Sequence, residues 1–161
     1  MNLILGIILL GCSAFIGFNI GNSYKRSLHF LQDFLNFINF TKNNIKFLQS
    51  STKELIECKK NTYHQDFNNF LINLQPNFEE VRVYIENFDK KLINDEIKVF
   101  FIKYFEELGR LDVQAQIKSI EQIELGLESY LMDAKEKNKK FGATYKKLGL
   151  MCGVALCIIV L

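Results

Sequence analysis

Tryptophan is absent, proline occurs once, at Pro76, and histidine only twice, at His29 and His64. One helix breaker in 161 residues leaves room for long uninterrupted helices. No segment alternates apolar and polar residues between turn signals, so strands are not predicted. There is no GxxxxGK[S/T], which excludes a nucleotide site of that class. The four cysteines, Cys12, Cys58, Cys152 and Cys157, form no CxxC and are too dispersed for a zinc pattern. Three of them lie in apolar ends, where cysteine behaves as a small hydrophobe. The two histidines have no ligand spacing, and no nucleophile is found with a base. Catalytic residues, metal and cofactor are therefore all predicted to be absent, and the chain reads as a non-enzyme. The net charge of +2 gives no argument for nucleic acid.

Charge is also missing from both ends. Every charged side chain lies between Lys25 and Lys147. Leu3 to Ile20 is uncharged, and at about 1.5 Å per residue it approaches the thickness of a hydrocarbon core. Residues 1–22 are therefore predicted to be a transmembrane helix. A secretory signal needs a positive n-region, which is lacking here. The stretch "LLGC" at Leu9 to Cys12 looks like a lipoprotein cleavage box but has the same defect. The final run, 148–161, is short for a full span, at roughly 21 Å. It is predicted to insert in the membrane, beginning as early as Phe141 or dipping only partway. Gly17/Gly21 and Gly149/Gly153 both read GxxxG, a spacing that lets membrane helices approach closely.

Between the ends, 23–147 is polar and uneven in charge. Lys25 to Asp133 holds 14 basic and 17 acidic residues, whereas Ala134 to Lys147 holds six lysines and one glutamate. The six, Lys135, Lys137, Lys139, Lys140, Lys146 and Lys147, form a collar before the last segment. With Lys25 and Arg26 after the first, they place the central domain in the cytoplasm. The collar suits anionic lipid head groups, and a solvated helix face is the plainer alternative.

The central domain is predicted to be an all-α bundle of about five to six helices. Apolar residues from Tyr24 to Leu48 recur at gaps of three and four, widened by extra phenylalanines. Ser51–Glu54 reads as a capping box for a short helix to about Lys60, and His64–Leu74 as a further helix. Asn77–Glu80 offers another cap, with Val81, Tyr84, Ile85 and Phe88 on one face. Asn94 opens a helix burying Ile97, Phe101, Tyr104, Phe105 and Leu108, with acids at its positive end. Gly109 sits where a left-handed residue would close that helix. Asp112 is then the N-cap of the next, whose apolar positions run Val113, Ile117, Ile120, Ile123, Leu127, Leu131 and Ala134. No proline follows, so this helix is expected to continue into the last segment, with Gly126, Gly142 and Gly149 as the expected kinks. Glu121, Glu124 and Glu128 share one face at gaps of three and four. Like charges so spaced repel, so the face suits a basic partner, with a solvated surface as the plainer alternative.

The stretch "FEELGRLDVQAQIKSI" carries Phe105, Leu108, Gly109, Asp112 and Gln116 in the spacing Phe-x-x-Leu-Gly-x-x-Asp-x-x-x-Gln. "YKKLGL" leads into the last segment through Lys147, Leu148 and Gly149, and Leu5-Gly6 and Gly17-Phe18 stand in the first. In these features the chain resembles the stage III sporulation protein AB family. That family in turn is similar to the cytoplasmic domain of the type II secretion system F protein. The resemblance implies a mother-cell membrane protein of the channel between mother cell and forespore, acting as a platform subunit. Its implied partners are the other membrane proteins of the stage III sporulation A complex and its cytoplasmic secretion-type ATPase, the AA protein. Leu108, Gly109, Asp112 and Gln116 are implied to be structural. The residues alone leave two other readings: a membrane-tethered scaffold that self-associates as a homo-oligomer, and a lipoprotein binding module.

Overall fold

A computed structural model describes residues 2–48, 57, 59, 61–74 and 80–160. The expected capping box at Ser51–Glu54, most of the short helix after it, and Pro76 and Asn77 lie outside that set. The elements are α1 (Asn2–Leu48), α2 (Gln65–Leu74), α3 (Val81–Glu86), α4 (Asp95–Glu107), α5 (Val113–Lys137) and α6 (Ala143–Val160). A π-helical turn, Asn138–Gly142, joins the last two. The described residues contain no strand, and the chain is all-α, as its periodicity predicts. It forms two compact units, His29–Met132 and the paired ends Met1–Leu28 with Asp133–Leu161.

The central unit is built on aromatic rings. Phe30, Phe34 and Phe37 of α1 meet Phe67 and Phe70 of α2 and Phe101 and Phe105 of α4, none more than 1% exposed. Phe34 and Phe101 stack with ring centroids 3.6 Å apart. Phe30 meets Phe67 and Phe70 edge-on, the offset geometry that ring quadrupoles favour. Removing each such ring from water contributes about 1.5–3 kcal/mol. Leu31, Ile38 and Ile45 extend the same wide face of α1, as does Thr41, whose hydroxyl donates back to the Phe37 carbonyl.

The short helices are fixed by caps and by one buried cation. Asn94 accepts from Ile97 N at 2.9 Å, while Asp95 and Glu96 occupy the positive first turn of α4. The Lys90 hydrogen bond holds the Asp95 carboxyl below its ordinary value. Lys98, although 3% exposed, donates to the carbonyls of Glu86 and Phe88 at 2.7 and 2.8 Å. It thereby satisfies acceptors at the C-terminal end of α3, where a cation is favoured. The cap expected from Asn77–Glu80 rests on Asn77, outside the described residues; α3 starts at Val81, and Glu80 itself makes no side-chain cap bond. The face of Val81, Ile85, Tyr84 and Phe88 does turn inward, and the Tyr84 hydroxyl donates to the Phe70 carbonyl.

Burial pushes the phenol of Tyr84 up to about 12, and burial together with the Asp33 charge does the same for Tyr63. Burial moves Tyr104 in the same direction. Unfolded phenols ionise near 10, so the unfolded chain loses these protons first. Stability present below pH 10 is therefore expected to fall as pH rises from about 10 to about 12. Urea midpoints measured at pH 9 and pH 11 check this, and equal midpoints would contradict it.

In α5 the buried stripe is Gln116, Ile120, Ile123 and Leu127. Val113, expected in the core, is exposed, because the stripe begins at the glutamine on the neighbouring helical position. No break occurs at Gly126 or Gly149, both within continuous helix. Gly126 instead leaves room for the ring of Phe100, which a Cβ there would strike. The helical path changes only in the π-turn ending at Gly142.

Candidate functional site

Two features gather the residues singled out by their sequence pattern: the antiparallel pair of apolar end helices, and the α4–α5 turn with the acidic face beyond it.

The end helices meet along small residues. A Cβ on Gly17 would lie 2.7 Å from Gly149 Cα and 2.6 Å from the Tyr145 carbonyl oxygen. One on Gly21 would lie 2.5 Å from the Gly142 carbonyl oxygen, and one on Gly153 3.1 Å from Leu10 Cα. Farther along, Gly6 faces Cys157. Ser13 Oγ donates to the Gly149 carbonyl at 2.8 Å, a side-chain bond suited to an apolar medium. The two GxxxG motifs thus meet at Gly17 and Gly149, and their other glycines take different partners. The outward faces are aliphatic and aromatic: Ile4, Ile7, Ile8, Phe15, Ile158 and Ile159 are all exposed. Gly6–Ile45 and Val113–Val160 contain helical stretches long and apolar enough to cross a membrane. α6 begins at Ala143, ahead of the uncharged run, and its 18 residues reach about 27 Å.

At the polar end of this pair, Tyr24 stacks on Tyr145 and lies near Phe141, with centroids 5.9 and 5.8 Å away. Such rings suit the membrane–water interface. The collar lysines divide here. Lys135, Lys139, Lys140 and Lys147 are exposed, and Lys137 pairs with Asp133 at 2.7 Å. Lys146 is half-buried, its ammonium 4.5 Å from the centre of the Phe18 ring and its stem over Gly21. It is therefore held against α1, unlike its exposed neighbours.

The α4–α5 turn follows from its sequence. Leu108 N donates to the Tyr104 carbonyl, and Gly109 has φ 80°, the left-handed region. Asp112 Oδ1 accepts from Ala115 N at 2.8 Å and its carbonyl from Gln116 N at 2.9 Å, which starts α5. Leu108 and Gln116 are buried beneath the turn, and Ser119 Oγ donates to the Glu107 carboxylate across it. Gly109→Val should cost roughly 1–2 kcal/mol for a forced left-handed residue, and Asp112→Ala about 1 kcal/mol. Urea denaturation of the full chain in detergent measures both, and two unchanged midpoints would rule out this account of the turn.

The glutamates are not one uniform solvated face. Glu124 is largely buried and pairs with Lys42 of α1 at 2.6 Å, and Glu121 lies 4.0 Å from the same ammonium. Glu128 is exposed and makes no ion pair among the described residues. With Leu35, Asn39, Leu125 and Leu131 they line a groove of about 530 Å3.

Sequence spacing missed one cluster. The rings of His29 and His64 stack 4.1 Å apart, and Asp33 accepts from His64 N and contacts His64 Nδ1 at 2.9 Å. Asp33 stands one helical turn from His29, but nothing local announces that His64 packs there. Among the described residues no three His, Cys, Asp or Glu side chains are arranged to hold a metal.

A helical domain joined in one chain to a close-packed pair of apolar helices defines the class: an all-α membrane protein. A family model, stage III sporulation protein AB, matches residues 2–161, so the chain belongs to that family and its role is in sporulation. No curated protein and no solved structure matches it.

Proposed function

We propose that the chain is a non-enzymatic platform subunit of the secretion-like channel complex linking mother cell and forespore. The observation that carries this reading is the family match over residues 2–161, joined to a helical domain tied to a membrane hairpin. The platform works by position. The hairpin fixes the chain in the mother-cell membrane, the exposed collar lysines hold anionic head groups, and the cytoplasmic helices present faces to partners. Those partners are the other membrane proteins of the stage III sporulation A complex and its secretion-type ATPase.

The hairpin weighs against the lipoprotein alternative. Cleavage before Cys12 would remove Gly6 and Leu10, which pack on Cys157 and Gly153. A clean deletion in the host is expected to arrest spore formation after engulfment, scored by microscopy and heat-resistant counts. Normal spore yield would overturn the reading.

A further inference from the structure

We propose that the groove between α1 and α5 is a docking site for a basic amphipathic helix of another protein. Leu35, Leu125 and Leu131 supply the groove's apolar lining, beside Asn39 and the three glutamates. Leu125 at its centre is 70% exposed, more than any other large hydrophobic side chain described in the central unit. A large aliphatic side chain so placed gains by being covered. Carboxylates flank it on the same helix face, Glu121 one turn before and Glu128 one turn after. They are about 10 Å apart along the axis. Of the three carboxylates, Glu124 holds Lys42 at 2.6 Å, Glu121 lies 4.0 Å from that same ammonium, and Glu128 has no ion pair among the described residues. The groove therefore keeps negative charge at both ends of an apolar centre.

The complement is a helix with Lys or Arg at positions i and i+7 and an aliphatic residue between them. Its cations would meet Glu121 and Glu128, and its aliphatic residue would cover Leu125. Charge at the rim sets the encounter and the register, and the apolar centre supplies burial. A second copy of this chain fits less well. Along α5 the residues one turn from Leu125 are Glu121, Gln122, Glu128 and Ser129, which offer no cation to the glutamates of a second copy. Lys135 lies about 15 Å from Leu125 along that axis.

The inference rests on the platform reading, and its test separates the two. In sporulating cells the full chain carries the photoreactive p-benzoyl-phenylalanine in place of Leu125. After irradiation, adducts are digested and sequenced by mass spectrometry. The expected adduct is with a segment of another protein that forms a helix with basic residues one turn on each side of an aliphatic one. Glu121→Lys with Glu128→Lys should lower its yield about tenfold or more. Changing the two captured basic residues to glutamate should restore it. Both glutamates are exposed and Lys42 keeps its 2.6 Å partner Glu124, so their replacement costs little stability, which urea midpoints of the double variant check. No adduct, adducts with lipid or a second copy alone, capture of a segment without that pattern, or indifference to charge reversal would each overturn the groove. Arrest of the deletion strain alongside such a failure leaves the platform reading standing.

Discussion

Phe101→Ala is expected to destabilise the central unit by about 3–5 kcal/mol, toward the upper end of that range. The ring is fully buried and stacks on Phe34 at 3.6 Å, and it also lies against Phe30 and Phe70, at 5.7 and 5.6 Å. Its loss therefore removes burial and several ring pairs, each worth about 0.5–1.5 kcal/mol beyond area. The neighbours are themselves bulky rings held by two helices, α1 and α2, so the cavity cannot collapse easily. Val99, two residues earlier on the same helix, is 62% exposed, and Val99→Ala should change stability by no more than about 0.5 kcal/mol. Urea denaturation of the full chain in detergent, followed by circular dichroism, compares the two. A loss below about 1 kcal/mol for Phe101→Ala would mean that the rings do not share one core.

What the chain announces locally, it forms. Gly109 and Asp112 close and open helices through interactions within a few residues, so the turn was readable before any packing was known. The same holds for Asn94 at the start of α4. The aromatic stripe on α1 predicted a wide buried face but not its partners. Phe34 and Phe101 are far apart in sequence, and only the docking of α4 on α1 brings them together. The stripe of α5 departs from the apolar pattern at its first residue, because periodicity counts apolar types. Here the buried position holds the amide of Gln116, and Val113 stays outside.

The candidate sites divide along the same line. Glu121, Glu124 and Glu128 share a face by spacing alone. That Glu124 is spent on Lys42, 82 residues away, depends on packing between helices. The groove exists only because Leu35 and Asn39 of α1 form its other wall. The pairing of His29 with His64 likewise comes from tertiary contact. The two GxxxG motifs advertised close approach, but which glycine meets which is fixed by the antiparallel register of the hairpin.

That register leads to the second large effect: Gly149→Leu should separate the paired membrane helices. A Cβ at Gly149 would stand 2.8 Å from Gly17 Cα and 2.9 Å from the Ser13 carbonyl oxygen. Both obstacles are backbone, so no rotamer change relieves them. The cost should exceed the roughly 1–3 kcal/mol of ordinary overpacking. Separation would also break the bond from Ser13 Oγ to the Gly149 carbonyl. A cross-link at the far end of the pair reads this out. Cβ of Gly6→Cys would lie 3.0 Å from Cys157 Sγ and 3.7 Å from Cys157 Cα, close enough for a disulfide. With Cys12, Cys58 and Cys152 changed to serine, mild oxidation in membranes should join positions 6 and 157 within one chain. Gly149→Leu should lower the yield at least tenfold, since a shift of even about 1.4 kcal/mol between paired and separated helices has that effect. Gly11→Leu is the control, because nothing lies within 4 Å of a Cβ there, and it should cross-link like the parent. Equal yields from Gly149→Leu and Gly11→Leu would show that the seam does not hold the hairpin. A low yield from the parent itself would show that the helices are not paired in this register.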